Sequence, residues 1–153
     1  LDGRIAQAIM SIPSVKGVEI GEASRMAGER GSRAHDGMEM GDAFRYPWRR
    51  TSNRAGGLEG GITNGEPVVV RLMVKPVPTL ARPLPSIDLA TGESVEAHFE
   101  RSDVCVVPAA GVFGEAMLAM VLAEALLEKF GGDSMAETQR NLEGFIGSIG
   151  GPA

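Results

Sequence analysis

The chain has 153 residues, of which 43% are hydrophobic and 23% charged, values close to globular averages that exclude a wholly disordered or fibrous chain. Its length suffices for one core and excludes a multidomain assembly. The formal net charge of -5 disfavours nucleic acid or an acidic membrane surface as the main partner.

The first twenty residues predict a helix followed by a strand. Val15 to Ile20 alternates apolar and other residues, which indicates a short strand that ends before Gly21. The preceding apolar residues recur at helical spacing and would form one stripe: Leu1, Ile5, Ala8 and Ile12. Because the chain enters this helical pattern at Leu1 without a signal peptide, we expect a further part of the protein upstream.

Residues 21 to 64 show no sustained period, and a stretch of this length is typically a functional loop or a disordered segment. It contains an arginine cluster: Arg25, Arg30, Arg33, Arg45, Arg49, Arg50 and Arg54. Guanidinium groups bind oxyanions in a bidentate manner, so one interpretation is a site for a phosphorylated or carboxylated ligand. The other is a solvated loop whose arginines are balanced by acidic neighbours: Glu22, Glu29, Asp36, Glu39 and Asp42.

The same segment contains a glycine-rich string, Ser52 to Gly61. Glycine lets backbone N–H groups approach a ligand, and a nest of such groups attracts phosphate. A plain glycine-rich turn is the alternative. The string lacks the spacing of a Walker or dinucleotide-binding motif.

Two more strands are predicted after this segment. Pro67 to Val74 is rich in β-branched residues and ends at Lys75, because the prolines that follow prevent continuation. Ser94 to Arg101 alternates apolar and polar side chains. Arg101 and Asp103, in Arg101-Ser102-Asp103, could hold an anion and move a proton, or could form a structural ion pair that caps the next helix.

Two helices are predicted at the C-terminal end. Apolar residues cover nearly every face of Pro108 to Phe130, so we expect that helix to be buried on most sides. A membrane span is the alternative, but three glutamates that would be costly in lipid argue against it: Glu115, Glu124 and Glu128. Ser134 to Ile149 predicts an amphipathic helix that begins with a capping box of Ser134 and Glu137.

Strands and helices alternate only loosely, which favours an α+β fold over a parallel α/β fold. The single cysteine, Cys105, cannot form an internal disulfide, so we expect a cytoplasmic protein. His35 and His98 are far apart in sequence, and no ligand spacing for a metal is present. We therefore predict no metal site.

Three segments together resemble chorismate synthase: Val15 to Gly21, Ser52 to Gly61, and Arg101 to Gly111. The spacing from Lys75-Pro76-Val77-Pro78-Thr79 to Arg101 is also similar to that of the family. The similarity runs through nearly the whole chain. It covers only the C-terminal portion of a family member, less than half of its length.

The resemblance implies a phosphate-eliminating carbon–oxygen lyase of aromatic amino acid biosynthesis. Its reaction would convert 5-enolpyruvylshikimate-3-phosphate into chorismate and phosphate by a 1,4-elimination. Reduced FMN would be the cofactor, with NADPH or another reductant keeping it reduced. The implied fold is a β-α-β sandwich with long helices between two antiparallel sheets, and the implied assembly is a homotetramer.

By position, the resemblance implies a set of FMN contacts: Pro13, Ser14, Gly60, Lys75, Pro76, Val77, Pro78, Thr79 and Arg101. Asp103 matches an aspartate that assists proton transfer. Pro13 and Ser14 depart from the family's usual amide-bearing residue followed by a small one, although their backbone groups could still serve.

The two active-site histidines of the family and most of its substrate-binding arginines belong to the upstream part, so His35 and His98 receive no such role. We expect little or no turnover from this chain alone. The alternative function is a non-catalytic module that binds a flavin or another phosphate-bearing ligand.

Overall fold

The computed structural model describes residues 1–41, 48–100 and 105–149. Arg45, Arg101 and Asp103, which the sequence singled out, lie outside these ranges. The helices are α1 (Asp2–Met10), α2 (Ala23–Met26), α3 (Gly31–Ala34), α4 (Val107–Phe130) and α5 (Met135–Ile149). The strands are β1 (Val15–Ile20), β2 (Met38–Met40), β3 (Trp48–Arg50), β4 (Leu58–Glu59), β5 (Ile62–Thr63), β6 (Val70–Val74), β7 (Pro85–Ile87) and β8 (Ser94–Glu96).

The core is built on the antiparallel pair β1–β6. Its register runs from Val15 opposite Val74 to Ile20 opposite Val70, with one irregularity after Val15. The observed bounds of β1 coincide with the prediction. β6 begins at Val70 rather than at Pro67.

α1 covers this strand pair with an apolar face that includes Ile5 and Ile12 of the predicted stripe and also Ile9, which was not part of it. Ile5 and Ile9 are fully buried, and Ile12 is nearly so. Val15 of β1, Leu58 of β4 and Val121 of α4 complete the buried cluster. β1, which follows α1 in sequence, therefore also packs against it.

One face of α4 lies against α1 and β6. Its buried residues are Ala110, Gly114 and Val121. A Cβ atom placed on Gly114 would be 2.6 Å from Cδ2 of Leu72 in β6. Glycine at this position therefore allows the helix to approach the strand closely.

The predicted burial of α4 on most sides is not found within the described chain. Phe113, Met120 and Leu127 are each more than 45% exposed, because apolar residues surround the helix while α1, β6 and α5 cover only part of its surface. By length and composition α4 could also cross a membrane. A core helix of a soluble protein meets the same criteria.

Short elements occupy the described residues between 21 and 64 (21–41 and 48–64), where the sequence showed no period. Met38 of β2 pairs with Arg50 of β3, and Leu58 of β4 pairs with Thr63 of β5. Strands of two or three residues are too short to produce a detectable alternation.

A similar short pair follows further along the chain, where β7 and β8 are antiparallel partners. The sequence did not predict β7. β8 ends at Glu96, so the strand that was predicted for Ser94 to Arg101 is shorter, and residues 97–100 lie outside any strand.

α5 begins with the Ser134 half of the predicted capping box, while the Glu137 carboxylate bonds one residue further upstream than predicted. The Ser134 Oγ atom accepts a hydrogen bond from the Glu137 N–H at 3.3 Å, and the Glu137 carboxylate accepts one from the Asp133 N–H at 2.7 Å. Within the described ranges, five helices accompany four two-stranded antiparallel sheets. The predicted α+β class is confirmed.

Candidate functional site

Two of the predicted flavin-contacting segments meet at one end of the β1–β6 pair. The Lys75 N–H donates a hydrogen bond to the Ser14 carbonyl at 2.8 Å, directly beyond the last strand pair. Ser14 has a φ of 70°, a left-handed conformation that is uncommon outside glycine. Pro13, Ser14 and Lys75 are thereby placed side by side where the chain turns from α1 into β1.

An apolar hollow of about 420 Å³ adjoins this end of the strand pair. It lies between the end of α1 and the N-terminal half of α4, with Pro13, Phe113 and Met117 among its walls. The Lys75 side chain is exposed, and its backbone N–H contacts Ser14, the residue after Pro13. An apolar wall beside an exposed cation suits a ligand that combines a flat ring system with an anionic group.

The segment Lys75–Thr79 is tied to the residues that precede Arg101. The Thr79 hydroxyl donates a hydrogen bond to the Glu100 carbonyl at 2.8 Å. Thr79, the last residue of one predicted flavin segment, therefore contacts the residue that immediately precedes Arg101, another predicted flavin contact. Arg101 and Asp103 themselves are outside the described residues.

Gly60 lies at the opposite end of the β1–β6 pair. With Gly61 it forms the tip of the β4–β5 hairpin, which we call the Gly60 turn (residues 59–62), and the two glycines have φ of 62° and 80°. The Gly61 carbonyl accepts a hydrogen bond from the Leu1 nitrogen at 2.7 Å. The length of α1, roughly 14 Å at 1.5 Å per residue, therefore separates the Gly60 turn from Ser14.

The glycine-rich string divides into a packed half and an open half. A Cβ atom on Gly56 would be 2.3 Å from the Gly21 nitrogen, and one on Gly57 would be 2.5 Å from the Pro67 carbonyl oxygen. A Cβ atom on Gly60 would meet no heavy atom within 4 Å. Gly56 and Gly57 are thus required for packing, whereas the Gly60 turn leaves space for a ligand.

Asp36 accepts three hydrogen bonds from the start of this string. One carboxylate oxygen accepts from the Ser52 hydroxyl at 2.5 Å and from the Arg54 N–H at 2.9 Å, and the other accepts from the Ala55 N–H at 2.9 Å. Burial alone would raise the pKa of this carboxyl, but the hydrogen bonds and the charge of Arg54 outweigh burial and lower the pKa.

Sequence reasoning counted Asp36 only as one of several balancing acids. Its hydrogen-bond donors lie 16 to 19 residues further along the chain, so no local spacing could have shown the interaction. The glycine-rich sequence around Asp36 and in the string does not indicate this interaction either.

Several members of the arginine cluster have partners within the loop. The Arg50 guanidinium donates to the Glu59 carboxylate at 2.5 Å and to the Asp36 carbonyl at 3.2 Å. Arg30 and Arg33 form no ion pair with a described residue. Two more pairs follow the pattern of a charge-balanced loop: Arg49 with Glu39 and Arg25 with Glu22.

A larger cleft of about 800 Å³ lies between α5, the C-terminal half of α4 and the hairpins β2–β3 and β4–β5. Gly61 lines it, so the Gly60 turn stands at its border. The Lys129 ammonium lies 3.8 Å from the ring centroid of Phe145 in its wall. Pro13 lines the smaller hollow, whereas Gly61 lines this cleft.

Metal-binding side chains do not converge in the described part of the chain. No group of three or more histidine, cysteine, aspartate or glutamate residues is placed there to hold an ion. Cys105 is exposed.

The chain is similar to one enzyme family throughout. The family model for chorismate synthase matches residues 1–127. A chorismate synthase of Solibacter usitatus is 56% identical over 149 residues, which cover 97% of this chain and 38% of the relative. One of Saccharopolyspora erythraea is 56% identical over 150 residues, with coverages of 97% and 37%.

A solved structure supports the same relationship. A crystal structure of chorismate synthase superposes with a TM-score of 0.75 at 44% identity, and the match covers 97% of this chain and 36% of the other. The chain thus spans somewhat more than a third of the length of the curated relatives that it matches.

Proposed function

This chain belongs to the chorismate synthase family, and on that premise we propose that it carries part of the flavin site of an enzyme that makes chorismate. The substrate would be 5-enolpyruvylshikimate-3-phosphate and the products chorismate and phosphate. The observation that carries this proposal is the 2.8 Å hydrogen bond from Lys75 to Ser14, because it brings two segments with family-matched flavin contacts to one place.

The residues at this place fit the chemistry of FMN. Its ring system is flat and largely apolar, and its side chain ends in a phosphate. The hollow beside Pro13 has apolar walls from Phe113 and Met117 that would accept the ring system, and the exposed Lys75 would provide a cation for the phosphate. The backbone groups of Ser14 would make the contact that the family's usual residues make at this point.

The reaction breaks the carbon–oxygen bond to phosphate and one ring carbon–hydrogen bond, and it forms a carbon–carbon double bond. Reduced FMN, when bound, would supply electron density to the substrate, and the conversion would involve no net oxidation. Asp103 would receive or relay the ring proton, since a carboxylate within hydrogen-bond reach can act as a base. Arg101 would bind an anionic group of the flavin.

The complete active site would need more of the family's chain than these residues. The family resemblance places two catalytic histidines and most substrate-binding arginines in the upstream part. We therefore expect little or no turnover by the 153-residue chain alone. NADPH as a source of electrons, a homotetrameric assembly and a cytoplasmic location belong to the same proposal.

An anaerobic titration with reduced FMN, with and without 5-enolpyruvylshikimate-3-phosphate, tests this function. Saturable binding that tightens with substrate is expected. Lys75→Met should weaken FMN binding by about tenfold, the loss of one charge-assisted interaction, and should leave riboflavin binding unchanged because riboflavin lacks the phosphate. Arg140→Met, at an exposed cation of α5 that lines neither cavity, is the control and should change neither affinity.

Two results would contradict the proposal. The first is the absence of saturable FMN binding to the wild-type chain. The second is an equal loss of FMN and riboflavin affinity in Lys75→Met, which would indicate a general structural defect. Asp103→Asn distinguishes an enzyme from a non-catalytic binding module. Under either hypothesis the variant would keep its flavin affinity. Only an enzyme assembled with its upstream part would lose rate.

A further inference from the structure

We infer that Asp36 and Arg50 are positioning residues that hold the Gly60 turn in the orientation in which it contacts the flavin. This inference rests on the proposed function and on the flavin contact that the family resemblance implies for Gly60. Neither side chain is proposed to touch the flavin. Both would act through the backbone of the glycine-rich string.

The first step is the attachment of the string at Asp36. Its carboxylate fixes one hydroxyl and two consecutive backbone N–H groups, those of Ser52, Arg54 and Ala55, at 2.5 to 2.9 Å. Hydrogen bonds to an ionised acceptor are among the stronger ones in proteins. The start of the string is therefore held at three points by one side chain.

The second step carries this constraint onto the central strands. The Glu22 N–H donates to the Arg54 carbonyl at 2.8 Å, and the Val69 N–H donates to the Gly56 carbonyl at 3.1 Å. Gly56 lies so close to Gly21 that a Cβ atom would not fit between them. Residues 54–56 thus have no freedom to shift against the end of the β1–β6 pair.

The third step is made by Arg50, which connects both ends of the string. Its guanidinium donates to the Asp36 carbonyl at 3.2 Å and to the Glu59 carboxylate at 2.5 Å. The Asn64 side-chain amide donates to the same Glu59 oxygen at 2.8 Å. Glu59 is the residue immediately before Gly60, so this network ends at the turn itself.

The turn needs such support because it has little packing of its own. Space is open around Gly60, and β4 and β5 have only two residues each. Leu58, at 5% exposure, anchors one strand in the core. The contacts of Glu59 then fix the direction in which the turn leaves that core.

The test combines amide hydrogen exchange with a double-mutant cycle on flavin affinity in the full chain. Asp36→Asn keeps the size of the side chain but removes its charge and one acceptor oxygen. Glu39→Gln is the matched control, since Glu39 is a nearby acid that pairs with Arg49 on the exposed β2–β3 hairpin. Gly60→Ala strains the turn directly.

We expect Asp36→Asn to increase exchange at the Arg54 and Ala55 amides and to weaken FMN binding by about tenfold, the equivalent of one lost charge-assisted hydrogen bond. Glu39→Gln should change neither quantity. Gly60→Ala alone should also weaken binding. In the double variant, Asp36→Asn should add little further loss, because both changes act on the same turn.

Additive losses in the double variant would overturn the inference, since they would mean that Asp36 affects binding by a route other than Gly60. Unchanged flavin affinity in Asp36→Asn, whatever its exchange, would overturn it as well. If Asp36→Asn does not fold by circular dichroism, Arg50→Gln takes its place in the cycle with the same expectations. Absence of FMN binding to the wild-type chain would instead refute the proposed function, and with it the flavin role of the turn, before any variant is compared.

Discussion

Gly56 and Gly60 allow a direct comparison of steric and conformational costs within one string. Their φ values are 65° and 62°, so alanine would meet the same left-handed strain at either position. That strain costs roughly 1–2 kcal/mol. The loss of glycine's unfolded-state freedom is also common to both substitutions. Any difference between Gly56→Ala and Gly60→Ala in the free energy of unfolding therefore reports the surroundings of the new methyl group.

Those surroundings differ sharply. At Gly60 the methyl group would enter open space, whereas at Gly56 it would be 2.3 Å from the nitrogen and 2.4 Å from the Cα atom of Gly21. Backbone must move to relieve this overlap, at the cost of the hydrogen bonds that join Gly21 and Gly56 to Val69. Two lost hydrogen bonds amount to about 2 kcal/mol, so Gly56→Ala should destabilise the chain by about 3 kcal/mol or more in total.

Urea unfolding monitored by far-UV circular dichroism measures both variants against the wild type. Gly60→Ala should lower the free energy of unfolding by roughly 1–2 kcal/mol, and Gly56→Ala should lower it by at least about 2 kcal/mol more. Equal losses within the error of the method would show that the string is not packed against the strand end, and the division into packed and open halves would be wrong.

Two further predictions concern stability. Ile5→Ala, at a side chain with 0% exposure, should cost about 2–5 kcal/mol in urea unfolding, whereas Met10→Ala on the exposed side of the same helix should cost far less; similar losses would contradict the assigned core. Because the folded-state pKa of Asp36 is lowered, its charge stabilises the fold above its unfolded pKa and this contribution is lost as pH falls through the folded pKa. The stability difference between wild type and Asp36→Asn should therefore be largest above about pH 5 and narrow below it, and a difference that grows towards acid would contradict the hydrogen-bond assignment.

The sequence predicted the elements that have enough residues to show a period. β1 matches its predicted bounds because alternation runs between two breakers, Pro13 and Gly21. α5 matches because Ser134 and Glu137 are a local signal for a helix start. The short hairpins β2–β3 and β4–β5 could not be predicted, since their strands are fixed by partners and turns rather than by a repeating pattern.

The exposure of α4 illustrates a different limit. Its apolar composition predicted burial, but composition does not say which part of a protein provides the cover. Ala110 and Gly114 face α1 and β6, while Phe113 on the adjacent face remains 57% exposed. The sequence of the helix therefore predicted that it prefers apolar surroundings. It did not predict which part of the protein provides them.

The candidate site, too, was predicted only in part. Resemblance singled out Ser14 and Lys75, and the structure places them in direct contact. It also singled out Gly60, which lies at the other end of the strand pair. The supporting role of Asp36 depends on hydrogen bonds to residues far along the chain, which neither a motif nor a local charge pattern encodes.

α4 packs closely against β6, and this contact links two positions that are far apart in sequence. A methyl group at position 114 would lie 2.6 Å from Cδ2 of Leu72. The side chains at positions 114 and 72 therefore compete for the same small space. The obstructing atom is the end of a flexible side chain, and a shorter residue at position 72 would clear it. In related sequences, alanine at the helix position should accordingly coincide with a smaller strand residue, so that the two positions covary through evolution.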